Sequence, residues 1–135
     1  MHTSLDHEKL DVYQASLEFI MWTIPLLDQL PRIAAVRNQL DRASTSIPLN
    51  IPEGNGRFTS PDRCRFFDNA RGSALESAAC LDVMVAKQLV TAQEIQAGKV
   101  MLLKIVSMLF GLIRPNSDVR VFEESASYRI TKEQE

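Results

Sequence analysis

Apolar residues recur along this chain at intervals of three and four, the period that puts them on one face of an α-helix. In the first segment Leu5, Val12, Ala15, Phe19, Trp22 and Leu26 keep close to that interval, with Tyr13, Leu17, Ile20, Ile24 and Leu27 widening the stripe. They predict a helix over 6–29 that contains Pro25 and stops before Pro31, because proline disfavours helical geometry in the residue ahead of it. The second segment is the most regular: Ile33, Val36, Leu40, Ala43, Ile47 and Ile51 are spaced 3, 4, 3, 4 and 4. Pro48 and Pro52 interrupt it, each withholding a main-chain donor. The apolar period continues past Pro48, which predicts a bent helix with both prolines outward, ending at Gly54-Asn55-Gly56.

Ser60-Pro61-Asp62 reads as a helix start, with serine as the N-cap, proline in the first position and an acid in the first turn. Phe66, Phe67, Ala70, Ala74, Leu75, Ala78, Leu81, Val85 and Leu89 mark the third helix, and Ala70, Ser73, Ala74, Ser77 and Ala78 are small enough for a neighbouring helix to come close. After Val90, Thr91-Ala92-Gln93-Glu94 matches a capping box. It opens a fourth helix through Ile95, Leu102, Leu103, Val106, Leu109, Phe110 and Ile113, closed by Arg114-Pro115-Asn116. With only one or two residues joining them, helices three and four must be antiparallel. The expected architecture is all-α, an antiparallel up-down four-helix bundle over 1–115, followed by a polar tail over 116–135.

Composition agrees with one globular domain: 135 residues, 45% hydrophobic and 24% charged, which excludes a largely disordered chain. No apolar run looks long enough to span a membrane, and the start of the chain, with His2, Asp6, His7, Glu8, Lys9 and Asp11, lacks the form of a secretory signal, so the expected location is cytoplasmic. Cys64 and Cys80 sit 16 residues apart on the third helix. That is about 24 Å at 1.5 Å per residue, too far for a disulfide, and both read as small apolar fillers. Met21, Met84, Met101 and Met108 read as core, and Trp22, Phe66 and Phe67 as core or subunit contacts.

Catalytic templates find little purchase. Gly54-Asn55-Gly56 lacks the third glycine of a dinucleotide site and follows a helix instead of a strand; its simpler reading is a helix end where glycine tolerates positive φ. Arg71-Gly72-Ser73-Ala74 lacks the nucleophile elbow, and His2 and His7, five apart, do not share a helical face. No catalytic residue, metal site or cofactor is expected, and the chain is not read as an enzyme.

Charge is more informative. Residues 1–31 carry net −4, whereas 32–71 carry seven arginines against four acids, net +3. Arginine suits phosphate oxygens, which raises RNA or DNA as a ligand. Arg37 with Asp41, Glu53 with Arg57, and the run Asp62, Arg65, Asp68 and Arg71 could instead pair along helix faces. Arg32, Arg42 and Arg63 lack such partners and are the nucleic-acid-contact candidates. Glu53 and Glu76 lie in mostly apolar stretches, so each is expected to form a buried polar tie to Arg57 or Arg71.

The stretch from Gln39 to Arg57, QLDRASTSIPLNIPEGNGR, resembles the hallmark of the bacterial four-helix bundle proteins named after 23S rRNA intervening sequences. Val12-Tyr13-Gln14-Ala15 and the segment from Phe66 to Glu76 are similar to further family segments, and the resemblance covers about residues 5–113. It implies a small helical bundle, a ring or barrel of five subunits, and no enzymatic activity. A related branch, the accessory variability determinant of diversity-generating retroelements, is thought to bind nucleic acid and a reverse transcriptase; it is strongly basic, and this chain, with a pI near 5.7, is placed with the general family. Asp41 stands where the family often has a basic residue and Pro52 where it often has alanine. Arg42, Glu53, Arg57 and Glu76 match charged positions of the family and suggest a polar network within or between subunits. Two functional readings stay open: a homo-oligomeric, pentameric scaffold or accessory factor that contacts RNA or DNA, and a protein-binding module whose arginines are structural.

Overall fold

A computed structural model describes residues 4–116. A short 3-10 turn, Asp6–Lys9, precedes four helices: α1 (Asp11–Asp28), α2 (Ala35–Asn55), α3 (Ser60–Ala86) and α4 (Ala92–Ile113), with a final 3-10 turn at Arg114–Asn116. Short connections fold them into the antiparallel four-helix bundle, α2 sharing its most extensive interface with α3 and α4 packing on both α3 and α1. The polar tail expected beyond Asn116 lies outside the described residues.

Each helix buries a seam at alternating three- and four-residue spacing. In α2 it is Val36, Leu40, Ala43, Ile47, Ile51 and Gly54; in α4 it is Ile95, Gly98, Leu102, Ile105, Leu109 and Ile113. α1 departs from the expected stripe. Its buried line is Val12, Ser16, Phe19, Thr23 and Leu26, while Ala15 and Trp22 are half-buried and Leu5, Met21 and Ile24 are exposed. Ser16 and Thr23 can replace apolar residues because each hydroxyl donates to its own helix, to the Tyr13 and Ile20 carbonyls at 2.7 and 2.6 Å. Ser44 and Ser77 are buried by the same device, on the Asp41 and Ser73 carbonyls.

Four further expectations change. The first helix starts at Asp11, because Leu10 is extended and splits off the preceding turn. Ile33 is 96% exposed in the turn before α2, outside the helix it was expected to open. Pro48 is buried instead of facing outward, and α2 remains continuous through both prolines because Ile47 and Ile51, fully buried, hold it against the core. The cap of α3 is Thr59, whose hydroxyl accepts from the Asp62 amide, one residue before the serine expected there.

α3 also ends earlier than expected, at Ala86, and five residues join it to α4. The Leu89 amide donates to the Met84 carbonyl and the Gln88 amide to the Val85 carbonyl, both at 2.9 Å, which closes the helix as a Schellman turn. That turn requires a left-handed residue, and Gln88 fills it with φ 61°. A side chain there costs about 1 kcal/mol, so Gln88→Gly is expected to raise stability by about 0.5–1 kcal/mol, read as a higher urea midpoint at unchanged slope. The capping box at Thr91 and Glu94 forms as expected.

α4 is long enough and apolar enough to cross a membrane by length and composition, which corrects the expectation that no stretch is. In this fold its apolar seam packs against α1 and α3.

Candidate functional site

The central arginines are spent largely inside the chain. Arg37 does not pair with Asp41; its Nε donates to the Leu27 carbonyl at 3.0 Å and closes the end of α1. Arg63 plays the same part for α2, donating from Nη1 to the Asn55 and Arg57 carbonyls at 2.9 and 3.2 Å, with its guanidinium 5.7 Å from the Phe67 ring. Helix C-termini leave carbonyls without intrahelical donors, so a cation with several N–H groups suits both places. Arg57 and Arg65 lie over the Phe66 ring at 4.6 and 4.9 Å, and Arg71 lies over Phe110 at 4.5 Å. Of the three residues singled out for lacking helical partners, Arg63 is therefore engaged by main chain that only the tertiary fold brings near it. Arg32, in the turn before α2, and Arg42, on its exposed side, are the ones left facing solvent. They do not converge with Arg63. α2 is about 30 Å long at 1.5 Å per residue, with Arg32 ahead of its start and Arg63 at its end.

The expected buried tie at Glu53 forms at the surface. Glu53 and Arg57 make a 2.8 Å ion pair with side chains 54% and 43% exposed. Exposed pairs of this spacing contribute a few tenths of a kcal/mol. Glu53→Ala is accordingly expected to cost less than about 0.5 kcal/mol, and a fall of several degrees in the melting temperature would contradict an exposed pair.

Polar side chains converge most clearly in the open groove between α2 and α3. Gln39, Arg42, Ala43 and Ser46 line it from α2, and Ser73 and Glu76 from α3, around a volume of about 290 Å³. Its floor is fixed. The Ser73 hydroxyl donates to Ser46 Oγ at 2.9 Å, and Asn50 Nδ2 donates to the same oxygen at 3.0 Å and to the Ser46 carbonyl at 2.9 Å. Small residues permit this, since Ala43, Ala70 and Ala74 are buried between the two helices and let them approach closely. Arg42 and Glu76 thus share one groove, whereas Arg57 and Arg71, the other members of the expected network, are held elsewhere by Glu53 and Phe66 and by Phe110. Sequence reasoning missed Ser46 and Asn50; the only signal was their four-residue spacing on α2.

The templates considered from sequence take up structural places. Ser73 is mid-helix on the groove floor, and Gly54-Asn55-Gly56 closes α2 without any glycine at positive φ. Gly54 is needed for space: a Cβ there would lie 2.7 Å from the Phe67 ring. Neither Cys64 nor Cys80 forms a disulfide among the described residues, and the Cys64 thiol donates to the Asn116 carbonyl at 3.0 Å. Burial pushes the Cys80 thiol above its ordinary pKa and the nearby Glu76 charge adds to that, which keeps it protonated and a poor nucleophile.

The sequence model described as 23S rRNA-intervening sequence protein matches residues 8–111. Among solved structures, the chain is similar to the crystal structure of a protein of unknown function from the S23 ribosomal protein family of Bacteroides thetaiotaomicron. The two are 23% identical, with a TM-score of 0.69 over 76% of this chain and 97% of that one, which shows a shared fold. No curated protein matches the chain.

Proposed function

The chain belongs to the 23S rRNA-intervening sequence protein family, and from that premise we propose that it works by association and not by catalysis: a homo-oligomeric helical-bundle scaffold or accessory factor, pentameric and cytoplasmic, that takes RNA or DNA as its ligand. The observation that carries self-association is apolar surface left at helical spacing on the outside of the bundle, with Leu49, Leu75, Val83, Val100 and Leu103 all exposed. Nucleic-acid contact is supported by Arg32 and Arg42, whose guanidiniums face solvent. The internal use of Arg37, Arg57, Arg63, Arg65 and Arg71 favours the second reading, a protein-binding module with structural arginines.

Light scattering across a dilution series tests assembly, and a single-chain mass at every concentration would refute it. Fluorescence anisotropy with a generic single-stranded RNA at two salt concentrations separates the two readings. The first expects affinity to fall with salt, and Arg32→Ala with Arg42→Ala to flatten that dependence by about 0.7 in log–log slope per lost contact. Absence of binding at low salt would leave the protein-binding module.

A further inference from the structure

Phe58 stands wholly in solvent, at 103% exposure, in the four-residue connection between α2 and α3. The turn that carries it is fixed. The Arg57 carbonyl before it accepts from Arg63 Nη1 at 3.2 Å, the Thr59 carbonyl after it accepts from the Arg63 amide at 3.0 Å, and the Thr59 hydroxyl caps α3. Arg63 therefore pins the main chain on both sides of the ring. Around it Gly56, Arg57, Thr59, Ser60 and Pro61 are all exposed and mostly small or polar, so no apolar patch of the size a protein partner covers surrounds the phenyl group.

Arg57 ties this turn to Phe66, whose ring lies under two guanidiniums, Arg57 at 4.6 Å and Arg65 at 4.9 Å from its centre. Arg57 also holds Glu53, whereas Arg65 is exposed and makes no ion pair among the described residues. A guanidinium lying on a ring still has N–H groups to give a phosphate oxygen. A lone phenyl ring on a rigid support, with a cation lacking a carboxylate nearby, suits a ligand that is flat and apolar on its faces and anionic along its backbone. An unpaired nucleobase with its phosphate is such a ligand, while a duplex keeps its base faces stacked on one another.

We propose that the α2 to α3 turn is a stacking site for unpaired bases of a single-stranded nucleic acid, Phe58 taking the base face and Arg65 the adjoining phosphate. The inference rests on the nucleic-acid reading above and narrows its ligand from RNA or DNA in general to single strands. It adds to Arg32 and Arg42 a contact made by stacking as well as by charge.

The test is the anisotropy of a short fluorescein-labelled oligouridylate titrated with the full chain at low salt. Phe58→Ala is expected to weaken binding by about tenfold or more with an unchanged melting curve, since the ring is no part of the core. Arg65→Ala should flatten the salt dependence by about 0.7 in log–log slope. Phe58→Trp should keep the affinity, and its added emission, measured against the unaltered chain with Trp22 alone, should be quenched by unlabelled oligouridylate. Oligodeoxyuridylate of the same length should bind comparably, because neither a phenyl ring nor a guanidinium on phosphate reads the 2′-hydroxyl, whereas binding of an RNA duplex should be insensitive to Phe58→Ala. Single-strand affinity unchanged in Phe58→Ala, or emission in Phe58→Trp that the strand does not quench, would overturn the proposal and leave nucleic-acid contact to Arg32 and Arg42. An unaltered chain that binds no nucleic acid at low salt would remove both.

Discussion

Phe67→Ala is expected to cost about 3–5 kcal/mol, seen as a fall in melting temperature on the order of 10 °C or more. Phe67 is fully buried and packs with Ile113, Cys64 and Leu112, joining α3 to the far end of α4. Its ring also fills the space above Gly54 and lies beneath the Arg63 guanidinium, so one side chain seats the ends of three helices. Truncation leaves a cavity that cannot collapse without moving them. A companion substitution isolates the contact. Gly54→Ala alone should destabilise by about 1–3 kcal/mol through overpacking, despite the better helix propensity of alanine, because the ring it meets has nowhere to go. In the Phe67→Ala background the same change should cost much less, with only the Arg63 carbonyl at 3.2 Å left to give way. Additive costs across the cycle would show that the two residues do not oppose each other.

Gly98→Ala should lower stability by a comparable 1–3 kcal/mol, on the opposite pair of helices. A Cβ on Gly98 would stand 2.3 Å from the Trp22 indole, so the α1 to α4 spacing depends on that missing methyl group. The sign is diagnostic, since mid-helix glycine to alanine on an open face is worth up to about 1 kcal/mol of added stability. Gly111→Ala, which meets nothing within 4 Å, supplies that reference and is expected to stabilise. Because the indole is half-buried, Gly98→Ala should push it toward water and shift its emission to longer wavelength. A higher melting temperature with unchanged fluorescence would contradict the close packing.

The bundle is readable from sequence wherever a seam is written in apolar letters. α2 and α4 keep their expected stripes almost intact, and the capping box opening α4 forms as its residues imply. In α1 the seam keeps Val12, Phe19 and Leu26 of its expected stripe but passes through Ser16 and Thr23 in place of Ala15 and Trp22, because those hydroxyls satisfy themselves on their own helix and so read as surface. The turn after α3 escapes detection because its left-handed position holds glutamine, not glycine or asparagine. The candidate site is readable in part. Arg42 and Glu76 stand out in the sequence, but the placement of Arg37 on the Leu27 carbonyl and Arg63 on the Asn55 carbonyl depends on where helices end in space, which residue spacing along one helix does not encode. Burial is the other gap: the spacing of Glu53 and Arg57 predicts their pairing, while their exposure depends on which side of α2 faces the core.

The Arg63 clasp bears on the order of events when the chain folds. A residue four places beyond the N-cap of α3 grips two carbonyls left open where α2 stops, across a connection of four residues, the shortest between any two of the four described α-helices, so the α2 and α3 hairpin can latch at low loop-closure entropy and without help from α1 or α4. Contacts so close in sequence form quickly, which makes this hairpin the natural template on which the outer two helices settle.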